Sequence, residues 1–301
     1  MPRVPDSLLD AIVYVYPNLE AARRGDRTGA TGFLIVTLFK DGTDAGHIHV
    51  VTNRHVVIDH AEPAIRLNKS LGGLEMLAVP RSDWHYHPDG DDVAIAYLDI
   101  DPKILAVTVD FITPSDFCTP AITNLRDIGA GDDVYFVGRF GGLSHAEERE
   151  ERNLVVIRFG SIARKPVRIR QDRTGIEQES WLVEARSLSG FSGSPVFVWA
   201  SHPGGDNLSY LGTGRDSFLL GIVWGHLPDR TVVYETGPDG KPAETDQFVE
   251  LNSGMMCVVP MWTIAQVLNS DELEAKRTRV EERLRADRRR LGTNIESGEP
   301  D

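Results

Sequence analysis

The sequence predicts an all-β fold of two antiparallel barrels followed by a charged helix. Three observations carry this. The chain has 301 residues, long for one ordinary domain and suited to two that share a site. Its apolar residues recur with period two or in short runs bounded by Gly, Pro, Asn and Asp, as strands do. Fourteen such runs occur with almost no long helical period among them, which argues against a βαβ protein and for closed or nearly closed barrels.

The expected strands of the first barrel are Ala11–Tyr16, Gly32–Phe39, His47–Thr52, Ala64–Leu67, Met76–Val79, Val93–Leu98 and Ile104–Val109. Those of the second are Asp133–Val137, Leu154–Ala163, Trp181–Glu184, Pro195–Trp199, Phe218–Trp224, Thr231–Tyr234 and Met255–Val259. Between the sets lies a polar, Gly-rich stretch, 124–132, ending DIGAGD. The expected units are therefore 1–123, 124–268 and a tail, 269–301. Asn269 with Glu272 three residues on suits a helix start, and Arg288–Arg290 ahead of Gly292 suit its end. Within 271–291, 14 of 21 residues are charged, and Leu273, Val280, Leu284 and Leu291 form a thin apolar seam that Arg277 and Asp287 interrupt. Such a helix either lies solvated on the barrel it follows or pairs with a partner or a second copy. No motif lies beyond Ser270, so removing the tail is expected to leave intrinsic activity intact.

Composition narrows the function. With 32 basic and 45 acidic residues the net charge is −13, which argues against nucleic acid as a ligand. No apolar run approaches membrane-spanning length, and the N-terminus lacks the features of a secretory signal. Two cysteines, Cys118 and Cys257, are too few to staple a secreted scaffold, so a reducing, cytoplasmic setting is expected.

Chemistry concentrates in three places. V-V-T-N-R-H-V-V ends a strand in a turn that delivers His55, and D-D-V-A-I-A-Y-L opens a strand with Asp92. G-F-S-G-S-P sets Ser192 between Gly190 and Gly193 just ahead of a strand. Gly190 lets the backbone N–H groups of Gly190 and Ser192 converge as an oxyanion hole, while Gly193 and Ser194 leave room for a substrate chain. The order His, Asp, Ser separates this chain from α/β-hydrolases, which run Ser, acid, His, and from subtilisin-type chains, which begin with the acid.

These motifs resemble those of the trypsin/chymotrypsin-like serine peptidases, especially their disulfide-free bacterial and viral branch, over 11–268. T-N-R-H-V-V is similar to the family's histidine motif, D-V-A-I to its Asp strand, and G-F-S-G-S-P to its nucleophile loop. G-I-V-W-G (Gly221–Gly225) resembles the strand that pairs with substrate and walls the specificity pocket. G-D-D-V-Y-F-V-G (Gly131–Gly138) resembles the opening strand of the second barrel. The resemblance implies a chymotrypsin-like fold, endopeptidase activity without a cofactor or metal, a His55–Asp92–Ser192 triad and peptide or protein substrates. Arg186, Ser187, Val223, Trp224 and Gly225 would form the primary pocket, with Arg186 at its floor. A cation there disfavours Lys or Arg before the cut. Arg186 pointing inward would select an acidic residue, and Arg186 in solvent an apolar one. Phe191 stands where zymogen-activated members carry an acid, so activation by N-terminal clipping is not expected and packing must hold the loop. A silent barrel used for binding and an esterase on the same fold are the alternatives.

Other polar clusters read as structural. His47 and His49 share a strand face that His55 has left, which argues against a zinc set. Trp84–His87 is expected as a loop rim, Ser144–His145 as a turn, and Arg139, Arg164, Lys165, Arg168 and Arg170 as a solvated strand face.

Overall fold

The computed structural model describes residues 4–26, 28–40, 46–69, 72–100, 112–140, 152–171, 174–186, 189–199, 217–237 and 240–297, with the side chains of 6, 7 and 287–297 excluded. Its first half runs α1 (Asp6–Asp10), β1 (Ile12–Tyr16), α2 (Leu19–Arg24), β2 (Ala30–Leu38), β3 (Gly46–Thr52), α3 (Arg54–Val57), β4 (Ala64–Asn68), β5 (Leu74–Ala78), β6 (Trp84–Tyr86) and β7 (Ala94–Leu98). The second half runs α4 (Pro120–Leu125), β8 (Asp133–Arg139), β9 (Val155–Arg170), β10 (Glu177–Glu184), β11 (Pro195–Trp199), β12 (Ser217–Thr236), β13 (Pro242–Pro260), α5 (Met261–Leu268) and α6 (Asp271–Ser297).

The two expected sheets are present and antiparallel. Strands of the second half close a barrel in the order β10-β13-β12-β11-β8-β9, and those of the first form a seven-stranded sheet in the order β5-β4-β1-β2-β3-β7-β6. Among the described residues this first sheet is open; the expected strand Ile104–Val109 and Ser144–His145 lie outside them. Period-two patterning explains the burial. On β3, Ile48 and Val50 enter the core of the first sheet, while Val51, one step out of phase, faces the seam between the halves. That seam gathers Phe33, Ile95, Tyr135 and Ile222 from both sheets with Met261 and Ile264 of α5.

Three expectations about the strands change. Thr231–Tyr234 is no separate strand but the outer half of β12, because β12 and β13 continue past the barrel as a long ribbon. Trp84–Tyr86 is strand β6, paired with β7, and not a loop. Arg139 is fully buried instead of solvated: its guanidinium donates to the Gly29 and Asp26 carbonyls and lies over the rings of Tyr14 and Tyr16. Arg164, Lys165, Arg168 and Arg170 are exposed, as a solvated face requires.

The tail helix α6 begins at Asp271, passes through Gly292 and docks on the first sheet, not on the barrel it follows. Leu273, Arg277 and Glu281, spaced by four, form its buried stripe. Leu273 joins the seam core; Arg277 donates to the Leu268 carbonyl and to His49 Nε2 at 3.4 Å. Glu281 meets His47 Nε2 at 3.1 Å. Glu272 reaches His85 of β6, and Arg283 reaches Asp99 beyond β7. His47 and His49 are thus the covered outer face of β3. No helix among the described residues is long and apolar enough to cross a membrane.

Candidate active site

β3 ends at Thr52, and Asn53 in extended conformation turns the chain into α3, whose second residue is His55. Asp92 stands just before β7 and meets His55 twice. Its Oδ1 accepts from the His55 backbone N–H at 2.8 Å, and its Oδ2 lies 2.6 Å from His55 Nδ1. The Asp92 side chain is 6% exposed and that of His55 29%, so the carboxylate is enclosed and the ring keeps an open edge. Asp91 faces elsewhere, its Oδ2 3.7 Å from His87 Nδ1, and burial raises its carboxyl above the usual range.

Two side-chain amides hold the Asp92 backbone, and neither was evident in the sequence. Asn53 Nδ2 donates to the Asp92 carbonyl at 2.9 Å. Gln178 Oε1 accepts from the Asp92 N–H at 2.8 Å. Gln178 sits on β10 of the barrel and is 1% exposed, so the acid of one half is tied to a strand of the other. A lone Gln in a charged strand, 86 positions away, carries no sequence signal for this.

The loop bearing Ser192 is fastened to the first sheet by Thr31. Its N–H donates to the Ser192 carbonyl at 2.9 Å and its Oγ1 to the Gly190 carbonyl at 2.6 Å. The Phe191 carbonyl accepts from Ser194 N–H at 2.9 Å. Because a trans peptide points C=O and N–H oppositely, that bond aims the Ser192 N–H away from the turn. Neither the Gly190 nor the Ser192 N–H has a carbonyl partner among the described residues. Gly193 has no substitute: its φ is 83°, and a Cβ would lie 2.1 Å from the Thr31 carbonyl oxygen. Phe191 is fully buried against Phe136, ring centroids 5.3 Å apart, so apolar packing anchors the loop. The Ser192 hydroxyl makes no hydrogen bond to a described residue.

A cleft of about 870 Å³ opens beside His55 and Asp92, lined also by Arg54, Arg170, Trp224, His226 and Arg230. Trp224 Nε1 donates to Ser180 Oγ at 3.0 Å. Gly225 leaves open space where a side chain would stand, and Val223 is buried behind the loop, where its carbonyl accepts from Gly193 N–H. Arg186 is exposed and is not among the residues that line this cleft. Ser187 lies outside the described residues. Neither cysteine competes as a nucleophile: burial pushes the Cys118 thiol up to about 11 and Cys257 up to about 12.

Comparison with known proteins adds the family. A family model described as a trypsin-like peptidase domain matches residues 30–201. No curated protein matches the sequence. Among solved structures, the protease domain of MamO from Magnetospirillum magneticum is similar, with a TM-score of 0.50 at 16% identity over 88% of this chain and 99% of that one. The inactive form of the Rv3671c protease of M. tuberculosis has a TM-score of 0.46 at 18% identity, over 87% of this chain and 89% of that one. At these identities the likeness speaks to the fold alone.

Proposed function

This chain belongs to the trypsin-like peptidase domain family, and from that premise we propose that it is a serine endopeptidase acting through His55, Asp92 and Ser192. The observation that carries the reading is the double contact of Asp92 with His55, made next to an open cleft. Its chemical sense is direct. A serine hydroxyl attacks a carbonyl only when a base removes its proton, and His55 is the base within the site. With Nδ1–H donated to Asp92, His55 keeps Nε2 as acceptor for the Ser192 proton and later returns it to the leaving amine. Asp92 holds that tautomer and stabilises the imidazolium. The N–H groups of Gly190 and Ser192 would take the oxyanion in each tetrahedral step, and water would release the acyl group from Ser192. The 1–123 half supplies base and acid, and 124–268 supplies the nucleophile.

For specificity, the cleft lining sets Arg54, Arg170 and Arg230 against Asp59 and Asp92, which disfavours Lys or Arg near the cut. Arg186 in solvent leaves the primary pocket to Trp224, Gly225 and neighbours, so we assign it a medium apolar residue. The test is a fluorophosphonate probe followed by digestion of a peptide library. Wild type should label and cleave peptides, and a folded Ser192→Ala chain should do neither. Cleavage fastest after Lys or Arg would sink the pocket assignment. The Ser192 hydroxyl, without a hydrogen bond to any described residue, favours one second reading, a silent barrel that binds peptide without cutting it; peptide binding with no labelling would select it. Labelling with turnover of esters alone would select an esterase.

A further inference from the structure

β12 and β13 are far longer than their barrel requires. β11 covers β12 only from Ser217 to Ile222, and β10 covers β13 only from Met255 to Val258. Beyond that, Pro228–Thr236 pairs with the stretch Pro242–Asn252 alone, as a two-stranded ribbon. A ribbon with both faces in water buries too little to be stable by itself. Yet it carries five of the eight large hydrophobics that are exposed among the described residues: Val232, Tyr234, Phe248, Val249 and Leu251, with Phe248 58% exposed. Such a concentration marks a contact surface.

One face of the ribbon continues the wall of the cleft. His226, Leu227, Pro228 and Arg230 of β12 line the same cavity as His55 and Asp92. Val232 follows on the face of Pro228 and Arg230, in unbroken register from Pro228; a register shift separates it from Tyr234, two residues further along the strand. Direct pairing joins Arg230 to Glu250 and Val232 to Phe248, and the Arg230 guanidinium lies 5.1 Å over the Phe248 ring. The apolar pair Val232 and Phe248 therefore starts where the cleft ends, with Tyr234 beyond it. From His226 to Tyr234 the cleft wall and the apolar residues together span about 26 Å, roughly eight residues of extended chain.

We infer that this face is an exosite for protein substrates. It holds an extended flanking segment of the chain being cut, by apolar and aromatic side chains placed within roughly eight residues of the cleft. The inference rests on the cleft being where peptide binds. Continuity with the cleft selects this occupant over a second copy of the chain, since one end of the strip is the site itself.

The experiment compares wild type with Val232→Ser/Tyr234→Ser/Phe248→Ser, whose changed residues are all solvent-facing. Against an unstructured substrate of about 20 residues with Leu and Phe along one flank, kcat/KM should fall about tenfold, mostly through KM. A short peptide filling only the cleft, and the rate of fluorophosphonate labelling, should be unchanged. Parallel loss on both substrates, or loss on neither, overturns the exosite. A wild-type dimer that the variant dissolves, with long-substrate turnover intact, gives the strip to a second copy and overturns it too. If wild type neither labels nor cuts, the peptidase reading fails separately. Fluorescence anisotropy of the same labelled long peptide on both full chains then decides: about tenfold weaker binding by the variant supports the exosite, and equal binding overturns it.

Discussion

Replacing Asp92 by Asn removes one proton acceptor and no bulk. The structure fixes how the ring must answer. Asp92 now accepts from two donors, the His55 backbone N–H and Nδ1–H. An Asn offers one carbonyl oxygen and one NH₂. The backbone N–H can only donate, so the carbonyl turns to it and the NH₂ faces Nδ1. Nδ1 must then accept, which moves the ring proton to Nε2, the atom that should take the serine proton. Flipping the amide would set two donors against each other, and each unpaired buried donor costs about 1–3 kcal/mol. Two of them make about 2–6 kcal/mol, which leaves the productive tautomer at a few per cent or less. Asn also removes the charge facing the imidazolium, worth about 4 kcal/mol for charge centres about 4 Å apart at an effective dielectric of about 20, and less beside a ring that water reaches. Together these predict a fall in kcat of about 10³–10⁴ with KM nearly unchanged. The assay is peptide turnover at neutral pH alongside circular dichroism. Asp91→Asn is the control, because Asp91 faces His87 and not the ring. Comparable losses in both variants, or an Asp92→Asn chain within about tenfold of wild type, would refute the tautomer argument.

Three further outcomes are expected. Gln178→Leu strips the Asp92 N–H of its buried partner and should cost about 1–3 kcal/mol while lowering kcat more than it raises KM, as steady-state kinetics and thermal melts can check. Leu273→Ala opens a hole in the seam core and should cost about 2–5 kcal/mol, visible in denaturant melts; truncation after Ser270 should cost more, against the expectation from motif positions alone. Burial, and then the Arg277 guanidinium, holds His49 down to about 3, so it stays neutral in the folded chain while the unfolded chain binds a proton below about 6.5. Its contribution to stability is therefore complete above about 6.5 and drains as pH falls toward 3, at up to about 1.4 kcal/mol per pH unit, and His49→Gln should flatten that slope in pH-resolved melts.

Much of the molecule was written locally. Alternation along β3 and the short apolar runs of β1 and β11 specify strands because both are properties of neighbouring residues. The loop around Ser192 was legible for the same reason: Gly190 and Gly193 take positive φ, 97° and 83°, a demand of the turn itself, although the close approach of Thr31 to Gly193 is a tertiary contact. Asp92 stood out from Asp91 only through a family resemblance, and its contacts with His55 needed β3 and β7 side by side. What tertiary structure alone decided involves partners far apart in the chain. Gln178 reaches Asp92 because β10 closes the barrel against the first sheet, and no periodicity encodes that meeting. Arg139 reads as one more surface cation until the carbonyls of Asp26 and Gly29 arrive to receive it. The interruption that Arg277 makes in an apolar seam becomes a buried contact once His49 lies beneath it. A polar side chain declares its type in the sequence, but burial depends on whether a distant segment satisfies its hydrogen bonds, and only the folded chain brings that segment near.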